Sequence, residues 1–194
     1  AERVHCGKKA KDRETVLVGA SISGEKLPLL VIGRFGKPRC FHGIRHIPVK
    51  DRAYGKAWMT GQLFEEWVRK LDRSLTRKIL LVVDNCPAHP RVSGLAKVYL
   101  LFLPPNTTSC TQPMDCGIIK NLKHIYKRKL AIKLLKAHDE NVYFTFNLLD
   151  SLSLLREAWN EVTTDTVKNC FRSAGFSEIP DPQDEENVNV NVMV

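Results

Sequence analysis

Apolar positions in this chain recur at two different spacings, and the points where the spacing changes mark out its elements. Residues 15–33, TVLVGASISGEKLPLLVIG, hold two runs rich in Val, Leu and Ile joined by a Ser-Gly-Glu turn. That is the pattern of a β-hairpin in which Gly24 takes a positive φ. Residues 34–59 mix glycine, proline and basic side chains and read as loop, with one short strand near 44–49. Thr60 is an N-cap for a helix whose apolar positions Leu63, Phe64, Trp67, Val68 and Leu71 repeat at helical spacing. The run KILLVV at 78–83 has no alternation, which implies a strand buried on both faces of a helix-covered sheet; Asn85 and Pro87 end it. A helical turn is expected over 91–97, followed by an apolar strand over 98–103 that Pro104-Pro105 stops. A strand, helix, strand order predicts an α/β layer architecture with these two strands parallel.

Downstream the spacing is helical. A long amphipathic helix is predicted over 117–138, with Ile118, Leu122, Ile125, Tyr126 and Leu130 as its buried stripe. Lys120, Lys123 and Lys127 share the opposite face at steps of three and four. Shorter helices follow at 151–162 and 164–174, the second capped by Thr163 or Thr164 and ended by Gly175. Residues 178–194 are acidic, then Asn- and Val-rich without helical spacing, and read as a mobile tail behind one domain over 1–177.

Composition narrows the class. The 194 residues suffice for one domain with a real core, and 43% hydrophobic with 26% charged residues excludes a largely disordered chain. No apolar run reaches the roughly 20 residues that cross a bilayer, so no membrane partner is expected. The opening AERVHCGKKAKDRE has no apolar core of a secretory signal and no initiating Met, and reads as an internal start. Cys6, Cys40, Cys86, Cys110, Cys116 and Cys170 form no CxxC pair, which fits reduced thiols rather than a disulfide scaffold or a zinc module. The net charge of +9 is uneven: five acids and no Lys or Arg lie beyond residue 177, leaving residues 1–177 at +14. Such a body attracts polyanions, nucleic acid above all.

The candidate chemistry lies at two strand ends. Asp84 closes ILLVVD and Asp115 closes the stretch VYLLFLPPNTTSCTQPMD, with 30 residues between them. A strand-end carboxylate facing solvent is rigidly placed and is satisfied by a hard divalent cation such as Mg²⁺, which keeps waters for a substrate phosphate. Beside that pair, the basic face Lys120, Lys123, Lys127 and Arg128 can track phosphates. Asn85, His89 and Gln112 lie close enough in sequence to orient the two carboxylates, with structural hydrogen bonding as the alternative for each. Asn106, Thr107 and Thr108 order the turn after a strand, and Trp58, Trp67 and Trp159 read as packing residues. No Gly-rich phosphate loop accompanies Asp84, which argues against an unrelated doubly wound enzyme.

LLVVDNCPAH and LFLPPNTTSCTQPMDCGIIKNLKHIYKRKL resemble the catalytic core of pogo/Tigger-type transposases of the mariner superfamily, shared with jerky proteins and centromere protein B; the likeness continues through GASISGEKLPLLVIG and LLREAWNEVTTDTVKNCFRSAGF. The resemblance implies a ribonuclease H-like (retroviral integrase-like) α/β fold, DNA strand cleavage and transfer by three acidic residues holding Mg²⁺ or Mn²⁺, and a nuclear location. It makes Asp84 and Asp115 the second and third catalytic metal ligands. The first belongs to an opening strand for which this sequence has no counterpart; Asp12 and Glu14 do not replace it. The expectation is therefore a DDE-type domain that lacks its opening strand and is inactive as this chain. It would bind DNA largely without sequence preference and could associate with chromatin partners or copies of itself. The alternative is a domesticated, non-catalytic chromatin, DNA-binding or interaction module.

Overall fold

A computed structural model describes residues 13–36, 38–105 and 111–176, together with the backbone of 191–193. The predicted hairpin is present: β1 (Thr15–Leu17) runs antiparallel to β2 (Leu30–Gly33), with Thr15 opposite Ile32. The connection tightens where Gly24 N–H donates to the Ser21 carbonyl at 2.9 Å. Gly24 has φ +91°, and a Cβ there would lie 2.2 Å from Thr164 Cγ2, so both its conformation and its packing require glycine.

The short strand expected at 44–49 lies later. β3 (Lys50–Ala53) pairs in parallel with the far edge of β2, starting beyond Pro48, which has no N–H for a ladder. Helix α1 (Gly61–Ser74) follows; the Thr60 side chain accepts from Leu63 N–H as its N-cap, and Phe64, Val68 and Leu71 are buried. β4 (Ile79–Val83) and β5 (Val98–Phe102) are parallel, as their order predicted. The 91–97 connection contains no helix. It is fastened instead by Asp72 of α1, whose carboxylate accepts from the N–H groups of Ala96 (3.2 Å), Lys97 (2.7 Å) and Val98 (2.8 Å). A side chain in another element thus satisfies backbone donors that a helical turn would have satisfied locally.

β4 is the centre of the second sheet, whose order is β5-β4-β6. β6 (Asn191–Met193) comes from the stretch expected to be a mobile tail and lies parallel to β4, with Ile79 opposite Asn191. The rest of that stretch lies outside the described residues. On β4, Ile79, Leu81 and Val83 enter one hydrophobic cluster with Phe64, Val68 and Leu71. Val82 enters another with Ile118, Leu122, Ala158, Trp159, Val167 and Phe171. Helices on both sides of an unalternating strand are what KILLVV called for.

The second layer consists of α2 (Ile119–Asp139), α3 (Leu148–Glu161) and α4 (Thr164–Ser173). α2 starts later than predicted because the chain first winds through a π turn, Met114–Ile118. Its first half is anchored by buried Leu122 and Ile125, whereas Ile132, Leu134 and Leu135 are exposed. α3 starts on a capping box between Asn147 and Asp150, three residues before the predicted start at 151. The Thr163 side chain caps α4, and Gly175 follows with φ +87°. Trp159 is buried and Trp67 is half-buried, as expected of packing residues. Trp58 is not: 54% of it is exposed.

Candidate metal and nucleic-acid site

Asp84 is the first residue after β4, and its side chain remains one-third exposed. The buried strand fixes its backbone, and the turn that follows returns His89 so that Nδ1 hydrogen-bonds Asp84 Oδ1. His89 N–H donates to the Cys86 carbonyl at 2.9 Å, which closes this turn. The imidazole lies against the Phe64 ring of α1, with centroids 4.4 Å apart and planes at 30°. Phe64 was legible as part of the α1 stripe; its role beneath His89 was not, because ring stacking across elements leaves no periodic signal. Asn85 is exposed and only adjoins Asp84 in sequence.

Asp115 sits in the π turn that leads into α2. The Gln112 carbonyl receives the N–H groups of both Asp115 and Cys116 at 3.0 Å, so the main chain of Gln112 shapes this turn. Partial burial raises the Asp115 pKa, the Asp84 carboxylate raises it further, and Lys123 lowers it. These effects bring together what the sequence kept apart: the Asp84 carboxylate and the Lys123 ammonium both act on Asp115 through space. Gly117 completes the turn. A Cβ there would meet Cys170 Sγ at 2.8 Å, and the pKa of the Cys170 thiol is pushed up by burial and by Cys116. α4 therefore packs tightly against the segment that carries Asp115.

Lys120, Lys123 and Lys127 are exposed on α2, one and two turns apart. Arg128 differs from them, because its guanidinium pairs with Glu161 at the end of α3. Lys129 also reaches Glu161, at 3.1 Å. Glu161 thereby ties α3 to α2 and neutralises part of the basic run.

Two carboxylates with mutually unfavourable charge form a donor set that a hard cation would relieve. Among the described residues, however, no third His, Cys, Asp or Glu joins them in a group that could hold a metal ion. Asn106, Thr107, Thr108 and Cys110, which fall between the two aspartates in sequence, lie outside the described residues, as does Asp12. Among the described residues, no helix is long and apolar enough to cross a membrane.

Residues 11–171 match the family model described as DDE superfamily endonuclease. The chain is 40% identical to Tigger transposable element-derived protein 4 of Mus musculus over 195 residues, covering 98% of this chain and 38% of that protein. It is 30% identical to jerky protein homolog of Homo sapiens (92% of this chain, 34% of that one). With ARS-binding protein 1 of Schizosaccharomyces pombe it shares 32% identity (85% of this chain, 35% of that one). The chain thus spans little more than a third of these relatives. No solved structure matches it. With the family model covering most of its length, including β4 with Asp84 and the turn with Asp115, the chain belongs to the DDE superfamily endonuclease family.

Proposed function

We propose that this chain is a transposase-derived, ribonuclease H-like domain that holds DNA near the Asp84–Asp115 pair through Lys120, Lys123 and Lys127 and is not a competent nuclease by itself. The observation that carries this reading is placement: Asp84 follows the end of β4, Asp115 occupies the turn that opens α2, and Lys120, Lys123 and Lys127 are exposed on that helix, with Asp84 raising and Lys123 lowering the Asp115 pKa. It sets an acidic pair suited to Mg²⁺ or Mn²⁺ beside a cationic helix face suited to the phosphates such an ion would engage. Arg128 takes a lesser part, since Glu161 already engages it. His89 acts by orienting Asp84 through its Nδ1 bond, and Gln112 by shaping the turn that presents Asp115.

Ribonuclease H-like topology is supported by the parallel β4–β5 pair and by helices on both faces of β4. Absence of an opening strand among the described residues is supported by the separation of the hairpin sheet from the β4 sheet and by the pairing of the second β4 edge with β6. A sheet without that strand supplies no first carboxylate, and two carboxylates retain two metal ions poorly. A nuclear, non-catalytic DNA-binding role follows, for a domain whose second sheet includes β6 from the stretch beyond 177. ARS-binding protein 1, a relative whose name states binding and not cleavage, favours the same reading.

The test is nicking of supercoiled plasmid by the purified chain in Mg²⁺ or Mn²⁺, with Asp84→Ala as control. The expected result is retention of the plasmid by the chain with no Asp84-dependent nicking. Robust nicking that disappears in Asp84→Ala overturns the non-catalytic assignment.

A further inference from the structure

We infer that the end of the first sheet opposite its hairpin turn is a stacking platform for single-stranded nucleic acid, built from Phe35, Tyr54 and Trp58 with Arg13, Arg34 and Lys56. Three chain segments meet there. Thr15 at the start of β1 pairs with Ile32, and Gly33 at the end of β2 pairs with Ala53 at the end of β3. Tyr54 N–H donates to the Gly33 carbonyl at 3.0 Å, which joins the exits of β2 and β3. The Thr15 hydroxyl donates to the Ala57 carbonyl at 2.8 Å, which holds the residue before Trp58 against β1. Three rings separated in sequence are thereby placed at one sheet end.

These rings do not serve the core. Phe35 is 58% exposed, Tyr54 42% and Trp58 54%, while both hydrophobic clusters are filled by other residues. Cations accompany them: the Arg34 guanidinium lies 5.3 Å from the Phe35 centroid, and that of Arg13 lies 5.6 Å from the Trp58 ring. Among the described residues, Arg13, Arg34 and Lys56 enter no ion pair, whereas Arg52 on neighbouring β3 is neutralised by Glu66. Exposed aromatic faces interleaved with uncompensated positive charge suit a strand whose bases can leave their stack and whose phosphates need counterions. A duplex cannot use the rings, because its bases are paired and stacked internally.

The platform also leads toward the acidic pair. Trp58 precedes Gly61 by three residues, a span of at most about 10 Å. A Cβ at Gly61 would lie 3.4 Å from Pro90, and Phe64 one turn on supports His89.

The inference shares with the preceding proposal only the premise that the chain binds nucleic acid, and it uses different residues. The experiment measures the affinity of the full chain for a fluorescent oligo(dT) and for a duplex of equal length, using Phe35→Ala, Tyr54→Ala, Trp58→Ala, Trp58→Phe and a triple Ala variant of Lys120, Lys123 and Lys127. Each ring removed should weaken oligo(dT) binding about ten-fold and duplex binding less than two-fold, and Trp58→Phe should retain most of the affinity. The platform is overturned if the alanine variants, folded by circular dichroism, bind oligo(dT) like wild type, or if they lose oligo(dT) and duplex equally. If the α2 variant leaves duplex affinity unchanged while the ring variants still lose oligo(dT), the α2 reading falls and the platform stands.

Discussion

Asp84 could be found from sequence because it ends an apolar run, a position where a carboxylate is conspicuous, whereas Asp115 lies not at a strand end but in the turn before α2 and was marked by the motif around it. Asp72 could not, being one acid among several on an amphipathic helix, yet it is buried and holds three backbone N–H groups of the β4–β5 connection. Asp72→Ala leaves those donors without a partner, and chemical denaturation should show a loss of roughly 2 kcal/mol. The Lys97 N–H bond, opposed by desolvation and helped by the Val98 and Ala96 N–H groups, keeps the Asp72 pKa below its ordinary value. A carboxylate depressed on folding stabilises fully above its unfolded pKa of about 3.9 and loses that contribution as pH falls through the lower folded value. The wild type should therefore lose stability more steeply than Asp72→Ala as pH drops below about 4, which acid titration of the two proteins checks. Lys26 was equally inconspicuous in sequence. Its ammonium donates to the carbonyls of Trp159 (2.7 Å), Asn160 (3.0 Å) and Val162 (2.6 Å), closing the C-terminal end of α3 against the hairpin.

Elements with strong local signals matched their sequence reading, and those that depended on partners shifted. α1 and α4 began on Thr60 and Thr163 because a hydroxyl cap acts within one turn. The capping box at the start of α3 is also local, though the sequence reading began that helix three residues later, and Asn147→Ala should lower the thermal midpoint by the equivalent of about 1 kcal/mol. The 91–97 segment held helical promise but sits as an irregular link, since Asp72 supplies its acceptors. α2 shows both behaviours: its period was clear, but its start was delayed by the π turn that positions Asp115. On its exposed face, replacing Lys120, Lys123 and Lys127 together with Ala should reduce the slope of log affinity against log salt for duplex DNA by about one for each phosphate no longer neutralised. Arg128→Ala should change that slope less, because its charge is already matched by Glu161.

At the scale of the molecule, β4 organises the chain, with α1 packed on one face, α2 to α4 on the other, and strands on both edges. β5 is an outer strand, with Tyr99 56% and Leu101 44% exposed. The opposite edge of β4 is covered by Asn191–Met193, more than a hundred residues away in sequence. Deleting 187–194 should uncover the β4 backbone, and hydrogen exchange should then show faster exchange of the Leu80 and Val82 amides, which face away from β5, than of the Leu81 amide, with little change in α3. The sequence alone determined β1, β2, β4 and β5, the main helices, the parallel β4–β5 pair, the strand-end position of Asp84 and the basic helix face, because periodicity, caps and breakers act over a few residues. Which distant groups would come together was decided only in three dimensions: Asp84 and Lys123 within electrostatic reach of Asp115, Asp72 with the β5 approach, β6 with β4, and three exposed rings at one sheet end. Such meetings arise when buried strands and helices choose partners by shape and by the need to satisfy backbone polar groups, and that choice leaves no local pattern in the chain.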